Sequence, residues 1–340
     1  MMSARAPLLE VEDLRTYFQM EGGTIHAVDG TSLTMHVGET LGVVGESGCG
    51  KSVMALSILG IVPSPGRIVG GRIRYYRGAG NGGEPVELSS LDPKGDAMRA
   101  IRGLDITMIF QEPKSALSPV YTIGQQIVEA LRLHRDLSRS QARQQVVEML
   151  GKVGLPDPER TIDRYPHQLS GGMCQRAMIA MALCSYPDLL IADEPTTALD
   201  VTTEAQILHL MRSLQQEFGM AIMFITHNLG VIAQMADRVI VMYLGEVVEE
   251  ARVYDIFYHP FHPYTQALLD AIPRLGRKGS LKPRHQLAEI RGTVPDAYNV
   301  PQGCRFHPRC IHMRPGLCDT DRPPNVTPEP EHSVRCVLYR

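Results

Sequence analysis

The 340-residue chain has no run approaching the ~20 consecutive apolar residues that a membrane-crossing helix needs. Its first residues, MMSARAPLLEVEDL, lack a basic stretch followed by an apolar core, so no secretory leader is expected and the chain should stay in the cytoplasm. Disulfides rarely persist there. Excess charge is also missing, since 34 Lys and Arg against 37 Asp and Glu leave a net charge of −3. That balance removes the general basic field that favours sequence-independent capture of nucleic acid. No segment repeats at solenoid periods. What remains is a chain of 44% hydrophobic and 21% charged residues, enough for a full core. Its length fits one large domain with an appendage, or two domains.

The N-terminal segments LLEVEDLRTYF and TSLTMHVGETLGVVG read as short strands broken by the turn-forming MEGG and VGE. After the apolar strand Thr40–Val44 comes GESGCGKS, and then the helix-like SVMALSILGIV. From Ser138 the pattern becomes helical. Ser138 and Gln141 can form a capping box, and Ala142, Val146, Val147, Leu150 and Val153 share one face. A helical insert is therefore expected over about 115–170. Beyond it, QRAMIAMALC, DLLIAD, a helix over Glu204–Phe218, AIMFITH and DRVIVMYLGEVVEE alternate helix with buried strand, which predicts a parallel α/β sheet. After about Arg252 the chain turns Pro-, Gly- and His-rich, and a domain boundary is expected there, giving units 1–252 and 253–340.

GESGCGKS fits the pattern G-x-x-x-x-G-K-[ST] between a strand and a helix. Glycines Gly45, Gly48 and Gly50 let successive backbone N–H groups, with those of Ser47 and Cys49, turn toward phosphate oxygens at a helix start. Lys51 is suited to the terminal phosphates and the Ser52 hydroxyl to Mg²⁺. Asp193 and Glu194 end the apolar strand LLIA, at the edge where ligands bind in open α/β sheets. Asp193 suits the water shell of Mg²⁺, and Glu194 suits a base that polarises an attacking water. His227 ends AIMFIT in the same way. Each motif alone has a plainer reading: a tight glycine turn, the start of a loop, a surface histidine.

LSGGMCQR, from Leu169 to Arg176, resembles the signature of ATP-binding-cassette ATPases, and GESGCGKS, LLIADEP and ITH stand with it in that family's order. The resemblance implies a P-loop fold with a RecA-like core, a β-rich N-terminal subdomain and a helical insert. It also implies a head-to-tail dimer, with ATP held between the phosphate loop of one subunit and Ser170, Gly171 and Gly172 of the other. A hydroxyl and unhindered N–H groups at a helix start suit that role, although an isolated SGG is also an ordinary cap. By the same resemblance Gln111 senses Mg²⁺ and water and connects to membrane subunits, and Asp200 contacts the dimer partner. Phe18, or alternatively Tyr17, matches the aromatic that stacks on adenine. Cys49 is read as a small filler, with alkylation as the alternative.

A narrower resemblance, carried by ITMIFQEPKSALSP, YPHQLSGGMCQRAMIAMALCSYPDLLIADEPTTALD, HPYTQALLDAIP and GCRFHPRC, is to the ATP-binding subunits of bacterial dipeptide and oligopeptide importers. It implies a peripheral subunit on the cytoplasmic face of the cell membrane. Two permease subunits, a second and paralogous ATP-binding subunit (or an identical one) and an extracytoplasmic substrate-binding protein complete the assembly. Nickel importers have similar cassettes. The rival classes are a soluble cassette ATPase acting on nucleic acid or ribosomes, and a nucleotide-binding regulator that never hydrolyses. The first lacks its usual second cassette or coiled coil here, and the complete set of Asp193, Glu194 and His227 argues against the second.

Cys304, Cys310, Cys318 and Cys336 sit in the C-terminal stretch without the short C-x₂₋₄-C pair usual for structural zinc. Iron–sulfur clusters accept four thiolates at several spacings. Resemblance to the peptide importers implies a [4Fe–4S] cluster. Zn²⁺ and free or stress-oxidised thiols are the alternatives. Cys174 and Cys184 read as core residues.

Overall fold

The computed structural model describes residues 6–78, 84–111, 116–197, 199–272 and 290–340. The N-terminal alternation builds two long strands, β1 (Pro7–Met20) and β2 (Gly23–His36), paired antiparallel. They are longer than the broken pattern suggests because bulges, such as those between Val11 and Leu14 and between Thr16 and Tyr17, absorb the breaks without ending the pairing. Then come β3 (Thr40–Val44), α1 (Lys51–Ile58), β4 (Gly66–Tyr75), β5 (Val86–Glu87), α2 (Asp96–Ile101) and β6 (Ile106–Ile109). The helical stretch holds α3 (Ile123–His134), α4 (Arg139–Lys152), α5 (Pro158–Thr161) and α6 (Gly171–Leu183). The chain continues through β7 (Leu189–Asp193), α7 (Val201–Phe218), β8 (Ala221–Ile225), α8 (Leu229–Met235), β9 (Arg238–Tyr243) and β10 (Glu246–Arg252). It closes with α9 (Val253–Tyr258), α10 (Pro263–Asp270), β11 (Val326–Glu329) and β12 (His332–Val334).

One sheet runs β2-β1-β4-β5 and is antiparallel; the other runs β11-β12-β10-β9-β3-β8-β7-β6. In the second, β3 pairs parallel with β8 and β9, and β7 with β6 and β8, which is the expected parallel core. Its central strands β3, β7 and β8 are buried at every position. Their parallel direction brings the loops after β3, β7 and β8 to one edge, where ligands bind in open α/β sheets.

The helical insert opens on capping boxes. Ser138 and Gln141 form the expected one before α4, and Thr122 and Gln125 form another before α3. Ala142, Val146, Leu150 and Val153 are fully buried, with Val147 packed at the edge of the same core. The expected start at 115 lies outside the described residues.

The C-terminal stretch joins the main sheet. β12 pairs antiparallel with β10, setting Glu249 opposite Val334 and Glu250 opposite Ser333. The buried Glu249 carboxylate accepts hydrogen bonds from the backbone N–H groups of Phe261 (2.6 Å) and His262 (3.0 Å) and from His332 Nε2 (2.8 Å). Among the described residues no helix is long and apolar enough to cross a membrane.

Candidate functional site

A cleft of about 760 Å³ opens at the C-terminal edge of the parallel strands, lined by Ser47, Gly48, Gly50, Lys51, Ser52, Gln111 and Glu194 among others. The loop after β3 turns back on itself because glycines occupy positions that other residues cannot. Gly50 has φ +102, and a Cβ there would be driven into the Ala27 carbonyl. Lys51 Nζ donates to the carbonyls of Gly45 (2.7 Å) and Glu46 (3.0 Å), which holds the ammonium against the loop. Cys49 is buried, and burial raises its thiol pKa against the opposing charge and hydrogen bonds of Lys51.

Glu194 is held at three points. Its carboxylate accepts from Gln111 Nε2 (3.1 Å) and Thr197 Oγ1 (2.9 Å), and His227 Nδ1 lies 2.9 Å away. Its backbone is in the left-handed region, φ +47, fixed by an N–H donated to the Ile225 carbonyl. Burial pushes its pKa up, but the hydrogen bonds from His227 and Thr197 and the charges of His227 and Lys51 outweigh it, and the carboxyl lies below its ordinary value. Asp193, beside it, moves the other way: burial raises it, although a Ser52 hydrogen bond and the Lys51 charge oppose that. Asp193 Oδ1 is buried without a hydrogen-bond partner. An orphaned carboxylate oxygen beside a serine hydroxyl fits the oxygen coordination of Mg²⁺. When bound, that ion neutralises charge developing on phosphate oxygens.

Ser170, Gly171 and Gly172 do not reach this cleft. Ser170 caps α6 by accepting from Met173 N (3.3 Å), and the two glycines start that helix at the surface. Asp200 caps α7 through Thr203 N (2.9 Å) and Thr203 Oγ1 (2.8 Å), a cap that moves the helix start to Val201. Phe18 is not among the described residues that line the cleft. Its ring packs on Gly66, where the β1–β4 pairing leaves no room for a Cβ. The ring at the cleft wall is His26, stacked on Tyr17 at 4.1 Å and 6°. Sequence reasoning also missed Ala297 and Val300, which bring the C-terminal stretch to the same wall. No local motif marks them.

The structure gathers Cys304, Cys310, Cys318 and Cys336 around one small pocket. Burial pushes Cys304 up to about 12 and raises Cys310 and Cys336, while the backbone N–H groups of Phe306, His312 and Leu338 act on these sulfurs in the opposite sense. Cys318 Sγ accepts from Arg314 N (3.3 Å). Among the described residues no three His, Cys, Asp or Glu side chains already stand as a metal-binding group.

A family model for ABC transporters matches residues 28–197, half of the chain. The chain belongs to the ABC transporter family. A second model, the C-terminal region of oligopeptide and dipeptide transporters, matches residues 248–318. The chain is similar to the dipeptide transport ATP-binding protein DppD of Bacillus subtilis, with 47% identity over 97% of this chain and 94% of the relative. It is 48% identical to the oligopeptide transport ATP-binding protein AppD of the same organism, over 98% and 97%. Among solved structures, the dimeric post-hydrolysis state of the ATP-binding cassette MJ0796 with ADP and phosphate aligns at TM-score 0.62 and 29% identity. That alignment covers 72% of this chain and 99% of MJ0796. With these matches, the chain is an ABC ATPase.

Proposed function

We propose that this chain is the ATP-hydrolysing subunit of a bacterial importer of dipeptides and oligopeptides, working on the cytoplasmic face of the membrane beneath two permease subunits. The observation that carries the reading is Glu194, clamped by Gln111, Thr197 and His227 at the mouth of the phosphate loop, in a chain whose residues 248–318 match the oligopeptide/dipeptide transporter C-terminal region. Residues 45–52 cradle the triphosphate, and Asp193 with Ser52 would hold Mg²⁺. Glu194 takes the proton of the attacking water as its oxygen bonds to the γ-phosphorus and the bond to the ADP oxygen breaks. His227 and Gln111 orient that carboxylate. Ser170, Gly171, Gly172 and Asp200 meet the nucleotide or the partner across a dimer with a paralogous cassette, and an extracytoplasmic receptor delivers the cargo. Their surface position on helix starts, away from the cleft of their own chain, supports this assignment.

Residues 1–252 form the ATPase unit and 253–340 the extension, whose four cysteines hold a [4Fe–4S] cluster, with Zn²⁺ as the alternative. Four thiols around one cavity, with backbone N–H groups directed at the sulfurs, support soft-metal chemistry. Such a group would cross-link the loop segments that carry the thiols. The test is the assembled transporter in detergent. Glu194→Gln should bind ATP and form a stable dimer while turnover falls by about 10²–10⁴, and Lys51→Ala should lose both. Normal turnover by Glu194→Gln would refute the assignment of the base.

A further inference from the structure

Glu46, the second residue of the phosphate loop, is an unfavourable neighbour for a polyphosphate. Its carboxylate does not face the ligand as a free charge, because Arg309 holds it in a two-point pair, Nη1 to Oε2 at 2.6 Å and Nη2 to Oε1 at 3.1 Å. The arginine side chain is 4% exposed. Its Nε donates to the Arg291 carbonyl at 3.0 Å, and its guanidinium lies 5.9 Å from the ring centres of Tyr243 and Phe306. A planar fork held on three sides has little freedom to leave. The Glu46 amide is fixed as well, donating to the Tyr264 hydroxyl at 2.8 Å. The extension therefore holds the loop residue at both its carboxylate and its amide.

Arg309 rides on a tight turn closed by His307 N to Cys304 O (2.9 Å), Arg309 N to Phe306 O (3.0 Å) and Cys310 N to His307 O (3.2 Å). Arg305, on the same turn, pairs with Asp29 and with the carbonyl of Leu244, a residue of the cleft wall. Of the two arginines between the first two cysteines, Arg305 thus reaches a residue of the cleft wall and Arg309 a residue of the phosphate loop.

We propose that Arg309 is a positioning residue for the triphosphate: it neutralises Glu46 and fixes the phosphate loop, so the cysteine-bearing turn sets how tightly nucleotide is held. The proposal rests on reading residues 45–52 as the phosphate cradle. An uncompensated carboxylate near the phosphates opposes an anionic ligand, and a paired one does not.

The test is a double-variant cycle on the full chain, read as the Kd for a fluorescent ATP analogue with Mg²⁺. Arg309→Leu should raise Kd about tenfold, a difference of about 1.4 kcal/mol, and Arg309→Lys should fall between it and the wild type. In a Glu46→Gln background Arg309→Leu should cost less than about twofold, because no carboxylate remains to be neutralised. Two outcomes overturn the proposal. One is a Kd unchanged by Arg309→Leu, and the other is the same loss in both backgrounds, which a plain structural tether would give. If Arg309→Leu does not fold, Arg309→Lys with and without Glu46→Gln runs the same cycle. Lys51→Ala separates the two readings: should it bind as tightly as the wild type, the cradle itself is misassigned, and Arg309 is not at fault.

Discussion

The anchoring of the extension turns on Glu249, and replacing it with glutamine tests that anchoring. The carboxylate is fully buried and serves three donors: Oε1 takes Phe261 N and His332 Nε2, and Oε2 takes His262 N. An amide has one acceptor oxygen. Placed to serve Phe261 and His332, the glutamine turns its NH₂ against the His262 N–H, so one bond is lost and two donors face each other. Losing a hydrogen bond to a charged group costs about 1.5–3 kcal/mol, and orphaning a buried donor about 1–3 more. The sum, about 2.5–6 kcal/mol, brackets the cost of about 3–5 kcal/mol for breaking one side of a buried pair. Against a typical net stability of about 5–15 kcal/mol, that is a large share. Urea unfolding followed by circular dichroism should show a lower midpoint at unchanged slope. Amide exchange at Glu46 should accelerate, since His262 directly precedes the helix that carries Tyr264. A midpoint within about 0.5 kcal/mol of wild type, the range of ordinary surface changes, would show that this carboxylate does not pin the extension.

The lowered pKa of Glu194 means that the carboxyl stays ionised as pH falls through 4.5. Its share of turnover and of stability is therefore present above that value and lost only below the folded pKa. His227→Ala removes the largest lowering contact and should move the acid limb of the turnover profile upward; an unmoved limb would contradict the pairing. Gly50→Ala places a Cβ against the Ala27 carbonyl at φ +102. It should abolish nucleotide binding while leaving the far-ultraviolet spectrum intact, and retained binding would mean that the loop has another shape. Anaerobically purified chain should be brown and contain iron and sulfide, and Cys304→Ser should bleach it. Colourless protein with stoichiometric zinc would establish the zinc alternative instead.

The motifs that the sequence displays are the local ones. The phosphate loop, the strand ending in Asp193 and Glu194, His227 and the Ser138 box each need only neighbouring residues, and spacing reveals them. Which of Tyr17 and Phe18 faces the cleft is not legible by counting along β1, because a bulge between Thr16 and Tyr17 shifts the register. Asp200 carries a helix cap that a motif-based reading of TTALD passes over. The Arg309–Glu46 pair, the Ala297 and Val300 wall and the β10–β12 pairing join residues far apart in the chain. Such contacts are made by closing long loops and leave no periodic trace. The thiols were visible as a group, but their shared cavity was not.

The pairing of Glu249 with Val334 has a bearing on how the subunit is made. Chains fold as they leave the ribosome, N-terminal parts first. Until translation has passed Val334, β10 keeps an open edge, a surface prone to stray association. Until it has passed Val300, the cleft lacks part of its wall. The strand that ends in Asp193 and Glu194 is thus made long before the last wall of the cleft and the strand that covers β10.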